Sequence, residues 1–209
     1  MPAYIKDCER HDCLLQLFEL IISKAKLAEF GPTLEWPLVE YDARQQFSKP
    51  LLYFDTGFNP RHARYEVCTL RGGRRIPLAP EERNAHMSQN TLFQQVVITN
   101  EVLKQWPIVI YPSQQSQRIR VVDVFRAIYD TYAVPLTREE LALYGPDYIQ
   151  RCERAFFQRC KDAQESTHFL EKQGMTRIDL LKGRRIFKGL VHRSGFPNHY
   201  FELIFDKGH

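Results

Sequence analysis

The C-terminal part of the chain carries the residue types that perform acid–base chemistry. Asp179 lies in the segment RID, and His192, His199 and Tyr200 flank the segment RSGFPN. A carboxylate within hydrogen-bond reach of a histidine can act as a general base. These four residues are therefore the catalytic candidates, and the activity they would support is that of a small hydrolase or transferase.

The same aspartate also fits a purely structural role. Arg177 and Asp179 stand at positions i and i+2, so on a strand their side chains would point the same way. We favour a buried or half-buried ion pair here, with Arg159 as a further partner, because structural charge networks perturb acids as often as catalysis does. RSGFP does not match the G-x-S-x-G nucleophile elbow, so Ser194 is expected to lie in a surface loop that forms a binding edge.

A second set of residues suits an anionic ligand. LRGGRR (residues 70–75) is a basic turn in which Gly72 and Gly73 would let backbone amides approach an anion. KGRR (182–185) and HR (192–193) add further charge. The candidate anion-binding residues are Arg71, Arg74, Arg75, Arg184, Arg185 and Arg193. Nucleic acid is an alternative partner for such a face, and a solvated loop is the structural alternative, because the Lys-Ser/Thr ending of a P-loop is absent.

The cysteines do not indicate a metal site or a disulfide framework. Cys8, His11 and Cys13 lie close together, but structural zinc needs four ligands, and no second pair stands at a suitable spacing. We therefore predict no metal and no cofactor. The chain has 5 cysteines at irregular spacing, which favours a reducing compartment, either cytosol or nucleus.

Composition places the chain among soluble globular proteins. Hydrophobic residues make up 44% of 209, and the net charge of +4 is only mildly basic, so it permits an anionic partner without requiring one. The apolar run at residues 14–22 is interrupted by Glu19, and no run approaches the length of a membrane span. We therefore expect no association with a membrane.

Periodicity predicts an N-terminal helical extension over residues 1–32 and a single α+β domain over residues 33–209. Apolar residues recur at helical spacing over residues 12–29, and this amphipathic helix would dock on a protein partner or on a second copy of the chain. Residues 33–93 hold many prolines and are expected to be mostly irregular, wrapped over the core.

From residue 94 onward the pattern is more regular. QQVVITN, WPIVIYP and RIRVV predict three short strands, after which Asp123 is expected to cap a helix. Two further helices follow, the first at a capping box of Thr137 and Glu140 and the second at Pro146. A β-hairpin ends the domain. Strands segregated from helices indicate an α+β fold with a mostly antiparallel sheet and helices packed on one face.

These segments resemble an uncharacterised domain family of mushroom-forming fungi (DUF6699-like). The similarity covers roughly residues 33–206 and includes LEWPLVEYDAR, QWPIVIYP, IRVVDVFRAIYD, RIDLLKGRRIFKGL and YFELIF. The resemblance implies a fold group and carries no activity. We therefore expect an intracellular, non-catalytic interaction module, and keep basic-face binding and an Asp/His enzyme as alternatives.

Overall fold

The computed structural model describes residues 32–39, 50–114, 116–163 and 167–206, and these form an α+β fold, as predicted. The strands within these ranges are β1 (Leu51–Tyr53), β2 (Cys68–Arg71), β3 (Arg74–Pro77), β4 (Val96–Thr99), β5 (Ile108–Ile110), β6 (Ile186–Val191) and β7 (Tyr200–Asp206). One sheet has the order β1-β2-β3 and is antiparallel. The other has the order β5-β4-β7-β6, and its β4–β7 pair is parallel.

The helices come mostly between β5 and β6. They are α1 (Pro80–Asn84), α2 (Val121–Tyr132), α3 (Arg138–Tyr144), α4 (Pro146–Asp162) and α5 (Thr167–Gln173), with 3-10 helices at Ala63–Tyr65 and Arg177–Leu181. The inner face of α2 carries Val124, Phe125 and Ile128, which are buried in the core. The N-terminal helix predicted over residues 12–29 and the Cys8–Cys13 cluster lie outside the described residues.

The start of α2 differs from the prediction. Residues 118–122 were expected to form a strand and Asp123 to be the N-cap, whereas the helix begins at Val121 after an isolated bridge between His86 and Arg120. Asp123 is the third residue of the helix, and its carboxylate accepts hydrogen bonds at 3.0 Å from the Arg120 backbone amide and from Arg120 Nε. The aspartate thus stabilises the first turn by reaching back rather than by preceding it.

Other local predictions are confirmed. Thr137 Oγ1 accepts from the Glu140 amide at 3.1 Å and Glu140 Oε2 accepts from the Thr137 amide at 2.8 Å, which completes a capping box. Pro146 occupies the first turn of α4, where its missing N–H costs nothing. β6 and β7 pair as the expected antiparallel hairpin.

The described part of the proline-rich region is mostly irregular, and its short extended pieces pair into a sheet. β1, β2 and β3 form the three-stranded sheet, and Gly72 and Gly73 connect β2 to β3 with φ values of 56° and 75°. Positive φ at both central residues is what a tight hairpin turn requires. The register places Tyr53, Cys68 and Pro77 side by side, and strand alternation puts Arg75 on the same face. That face forms one wall of the site described next.

None of the helices in the described ranges has both the length and the apolar character needed to cross a bilayer.

Candidate ligand-binding cavity

A cavity of about 470 Å³ lies against the three-stranded sheet. The sheet contributes Tyr53, Cys68, Arg75 and Pro77, and the Ala63–Tyr65 helix with its flanking residues contributes the opposite wall. Asp55, Asp162, Arg185 and Ile186 complete the lining. Its volume falls within the range of about 300–1,000 Å³ that is typical of small-molecule sites.

Aromatic rings and arginines alternate around this space. Phe58 and Tyr65 are stacked, with ring centroids 4.6 Å apart and planes inclined by 16°. The Arg75 guanidinium carbon lies 3.8 Å from the centroid of the Tyr53 ring, and that of Arg185 lies 5.4 Å from the Phe58 ring. Such cation–π contacts hold guanidinium groups against apolar surface, and for Arg75 the contact is made without a carboxylate partner among the described residues.

Arg185 is a buried charged group of the cavity lining, and it joins three segments of the chain. Its Nε donates to both carboxylate oxygens of Asp55 at 2.9 Å, and its Nη2 donates to Asp162 at the end of α4. Thr56 Oγ1 donates to the Arg185 carbonyl at 2.7 Å, so both the backbone and the side chain of Arg185 are fixed. This part of the wall is therefore held in place before any ligand arrives.

A second buried ion pair, between Arg159 and Asp179, lies next to the first. Arg159 donates from Nε and Nη2 to the two oxygens of Asp179, at 2.9 and 2.8 Å. Gly57 lies between the two arginines: a Cβ added there would be 3.0 Å from Arg159 Cδ and 3.3 Å from Arg185 Cδ. The absence of a side chain at residue 57 lets both arginines pack at this depth.

Burial sets the protonation behaviour of the lining. Burial raises the pKa of Asp55, although the neighbouring Arg185 opposes this effect. Burial also raises the pKa of the Cys68 thiol, and Arg75 only partly offsets it. At neutral pH the Cys68 side chain is therefore a thiol and not a nucleophilic thiolate. Across the described ranges, no three His, Cys, Asp or Glu side chains group as metal ligands.

Of the residues predicted to bind anions, the structure brings Arg75 and Arg185 to this cavity. Arg71 and Arg74 are exposed on the β2–β3 hairpin, Arg184 is exposed beside Arg185, and none of these three lines the cavity. Arg193 does not line this cavity either. Its Nε donates to Glu202, and both residues line a second and smaller cleft. The arginines that the sequence suggested as one basic face thus lie at the cavity, on the β2–β3 hairpin and at the second cleft, and Arg185 is buried rather than exposed.

Asp179 is committed to structural contacts. Its carboxylate binds Arg159 and also accepts from the backbone amide and hydroxyl of Thr176. The ion pair indicated by the sequence is therefore formed with Arg159 and not with Arg177, because the RID segment is a 3-10 helix and not a strand. Arg177 pairs instead with Glu140, at 3.0 Å, and covers the Trp106 ring.

The two candidate histidines pack against aromatic rings. His192 contacts Phe201, with centroids 5.9 Å apart, and its Nε2 is buried with no hydrogen-bond partner among the described residues. His199 contacts Tyr200 at 4.9 Å. Tyr200 also lines the second cleft, of about 270 Å³, together with the exposed Phe196 of the hairpin loop. This cleft is where the predicted binding edge lies.

A scan against protein-family models matches residues 52–197 to a family of unknown function, DUF6699. The chain belongs to this family. The match covers more than half of the 209 residues and includes every residue that lines the large cavity, from Tyr53 to Ile186. It ends before Tyr200, Phe201 and Glu202, which line the second cleft. No curated protein and no solved structure matches the chain.

The cavity residues that sequence reasoning missed include Tyr53, Asp55, Phe58, Arg64 and Asp162. The DUF6699 match contains all of them, but they come from separate stretches of the chain, and only folding brings them together. The sequence holds one signal, the aromatic residues Tyr53, Phe54 and Phe58 beside Asp55. Small-molecule pockets are lined mainly by apolar and aromatic side chains with a few polar groups, and this cluster has that composition.

Proposed function

We propose that this DUF6699 member is a non-catalytic binding module that holds a small organic molecule in the cavity between β1–β3 and the Ala63–Tyr65 helix. The observation that carries the proposal is the cavity itself, whose inner wall is fixed by the Asp55–Arg185–Asp162 network. A wall that is ordered before binding reduces the entropy lost when a ligand binds.

The chemistry of the lining supports binding over catalysis. Asp55 and Asp162 are engaged by Arg185, and Cys68 is held as a thiol, so none of the three is poised as a base or a nucleophile. We place the module inside the cell, in cytosol or nucleus, and Cys68, Cys152 and Cys160 support this because they are buried and free. A fungal source and a protein partner remain predictions.

Native mass spectrometry tests the proposal. The full-length protein is incubated with a deproteinised cell extract, desalted and measured under native and denaturing conditions. We expect a mass excess of small-molecule size that disappears on denaturation. Ala63→Trp, which places a large ring at the cavity wall, should abolish the excess, whereas Ala142→Trp on the exposed face of α3 should retain it. An excess that survives in Ala63→Trp, or no excess in the wild type, would contradict the proposal.

A further inference from the structure

We infer that the ligand of this cavity is a small organic anion, a carboxylate or phosphate carried on a planar apolar body, and that Asp162 competes with it for Arg185. The inference rests on the proposed function and adds the chemical class of the ligand. It follows from the charges around the cavity, from its aromatic rings and from the way in which Arg185 is bonded.

The acidic groups of the lining already have arginine partners. Asp55 and Asp162 both bind Arg185. Glu66 also lines the cavity and lies 3.6 Å from Arg83, which does not. A cationic ligand would therefore have to share each carboxylate with an arginine.

Two basic groups of the lining, unlike its acids, have no partner of opposite charge in the described part of the chain. Arg64 and Arg75 both line the cavity, and neither has a carboxylate partner among the residues that the structure describes. Arg75 lies on the Tyr53 ring instead. Two uncompensated guanidinium groups at one cavity attract an anion, and a guanidinium can bind a carboxylate or phosphate through two parallel hydrogen bonds.

The remaining wall suits a flat apolar body. Tyr53, Phe58 and Tyr65 present aromatic surface in the same space as these guanidinium groups. An inorganic anion would leave that surface in contact with water, whereas an aromatic or heteroaromatic acid would cover it. Rings and guanidinium groups together therefore select for an organic anion over a bare ion.

Asp162 provides a built-in competitor. Its side chain is 36% exposed, and it binds Nη2 of Arg185 while accepting from Gln158 Nε2 at 2.8 Å. Nη1 of the same guanidinium has no hydrogen-bond partner in the described part of the chain. An anion that binds the end of Arg185 through both terminal nitrogens would share Nη2 with Asp162, and the negative charge of Asp162 opposes its approach.

The test is an NMR titration of the ¹⁵N-labelled full chain with four probes: benzoate, benzamide, benzamidine and inorganic phosphate. The first three share a planar ring and differ in carrying a negative, neutral or positive substituent. We expect benzoate to bind tightest and to shift the amide signals of cavity residues such as Phe58 and Cys68. Phosphate should bind more weakly than benzoate, because it leaves the aromatic wall uncovered.

Matched variants separate the cavity from a general effect of net charge. Arg75→Gln should weaken benzoate binding by about tenfold or more, the usual effect of losing a hydrogen bond to a charged group. Arg74→Gln removes the same charge from the adjacent residue, which does not line the cavity, and should leave the affinity nearly unchanged. Asp162→Asn should strengthen binding by about threefold to tenfold. Glu202→Gln removes the carboxylate that pairs with Arg193 outside the cavity, and should leave the benzoate affinity unchanged.

The outcomes distinguish the ligand class from the binding function. If benzamide or benzamidine binds at the cavity as tightly as benzoate, the inference of an anionic ligand is contradicted, whereas the proposed binding function is retained. Equal losses of benzoate affinity in Arg75→Gln and Arg74→Gln would also contradict an anion site in this cavity. Phosphate binding as tightly as benzoate would contradict the inference that the ligand carries a planar apolar body. If no probe shifts a cavity signal at millimolar concentration, both the anion and the binding module are contradicted.

Discussion

Replacement of Asp179 by Asn tests whether the buried ion pair behind the cavity is structural. The side chains of Arg159 and Asp179 are 7% and 2% exposed. The carboxylate accepts hydrogen bonds from both Arg159 nitrogens and from the amide and hydroxyl of Thr176. Asn keeps the shape but removes the charge, so the Arg159 guanidinium is left buried without its counter-ion.

The expected loss is large for a single isosteric change. Breaking a buried ion pair by removing one partner costs about 3–5 kcal/mol. For a chain of this size that corresponds to a fall in Tm of about 6–20 °C. The double variant Arg159→Met, Asp179→Leu should recover part of the loss, because an apolar pair of similar volume leaves no buried charge without a partner, although the Thr176 amide and hydroxyl lose their acceptor.

Urea denaturation followed by far-UV circular dichroism measures both variants against the wild type, with Glu202→Gln as a control for loss of an exposed ion pair. We expect a lower midpoint with an unchanged m value in Asp179→Asn. A loss below about 1 kcal/mol, the range of surface pairs, would refute the reasoning. So would a double variant that is no more stable than the single one.

Three further predictions concern other elements. Gly57→Ala should destabilise the protein by about 1–3 kcal/mol, because its Cβ would press on the buried side chains of Arg159 and Arg185; a urea midpoint equal to that of the wild type would contradict this. Asp123→Ala should cost about 1 kcal/mol through loss of the first-turn contacts of α2, and an unchanged Tm would count against them. Burial raises the pKa of Cys152 to about 11. The unfolded chain therefore loses this proton first, and stability should fall as the pH rises from about 9 to 11; Cys152→Ala should show a shallower fall in pH-dependent denaturation, and an identical slope would contradict the assignment.

Sequence reasoning succeeds where local signals agree. The Thr137–Glu140 capping box, Pro146 at the start of α4 and the β6–β7 hairpin follow from side-chain chemistry within a few residues. It fails at residues 118–122, where alternating apolar residues suggested a strand and the helix begins at Val121 instead. A short alternating run is equally compatible with the chain entering a helix, and only tertiary contacts decide between them.

The site was less predictable than the fold. Arg75 and Arg185 were identified as basic residues, but nothing local indicates that one lies on a tyrosine ring and the other in a buried network. Asp55 and Asp162 meet at Arg185 from opposite parts of the chain. The strands β1–β3 are only three or four residues long, and β3 ends in a proline, so the sheet that forms the cavity wall gives a weak pattern.

The most direct measurement is a crystal structure of the full chain soaked with benzoate, compared with an unsoaked crystal. The predicted result is difference density for the benzoate ring against Tyr53 or Phe58, with its carboxylate within hydrogen-bond distance of Arg64, Arg75 or Arg185. Density for benzoate only in the cleft beside Phe196, or on the outer surface, would contradict the assignment of this cavity as the binding site.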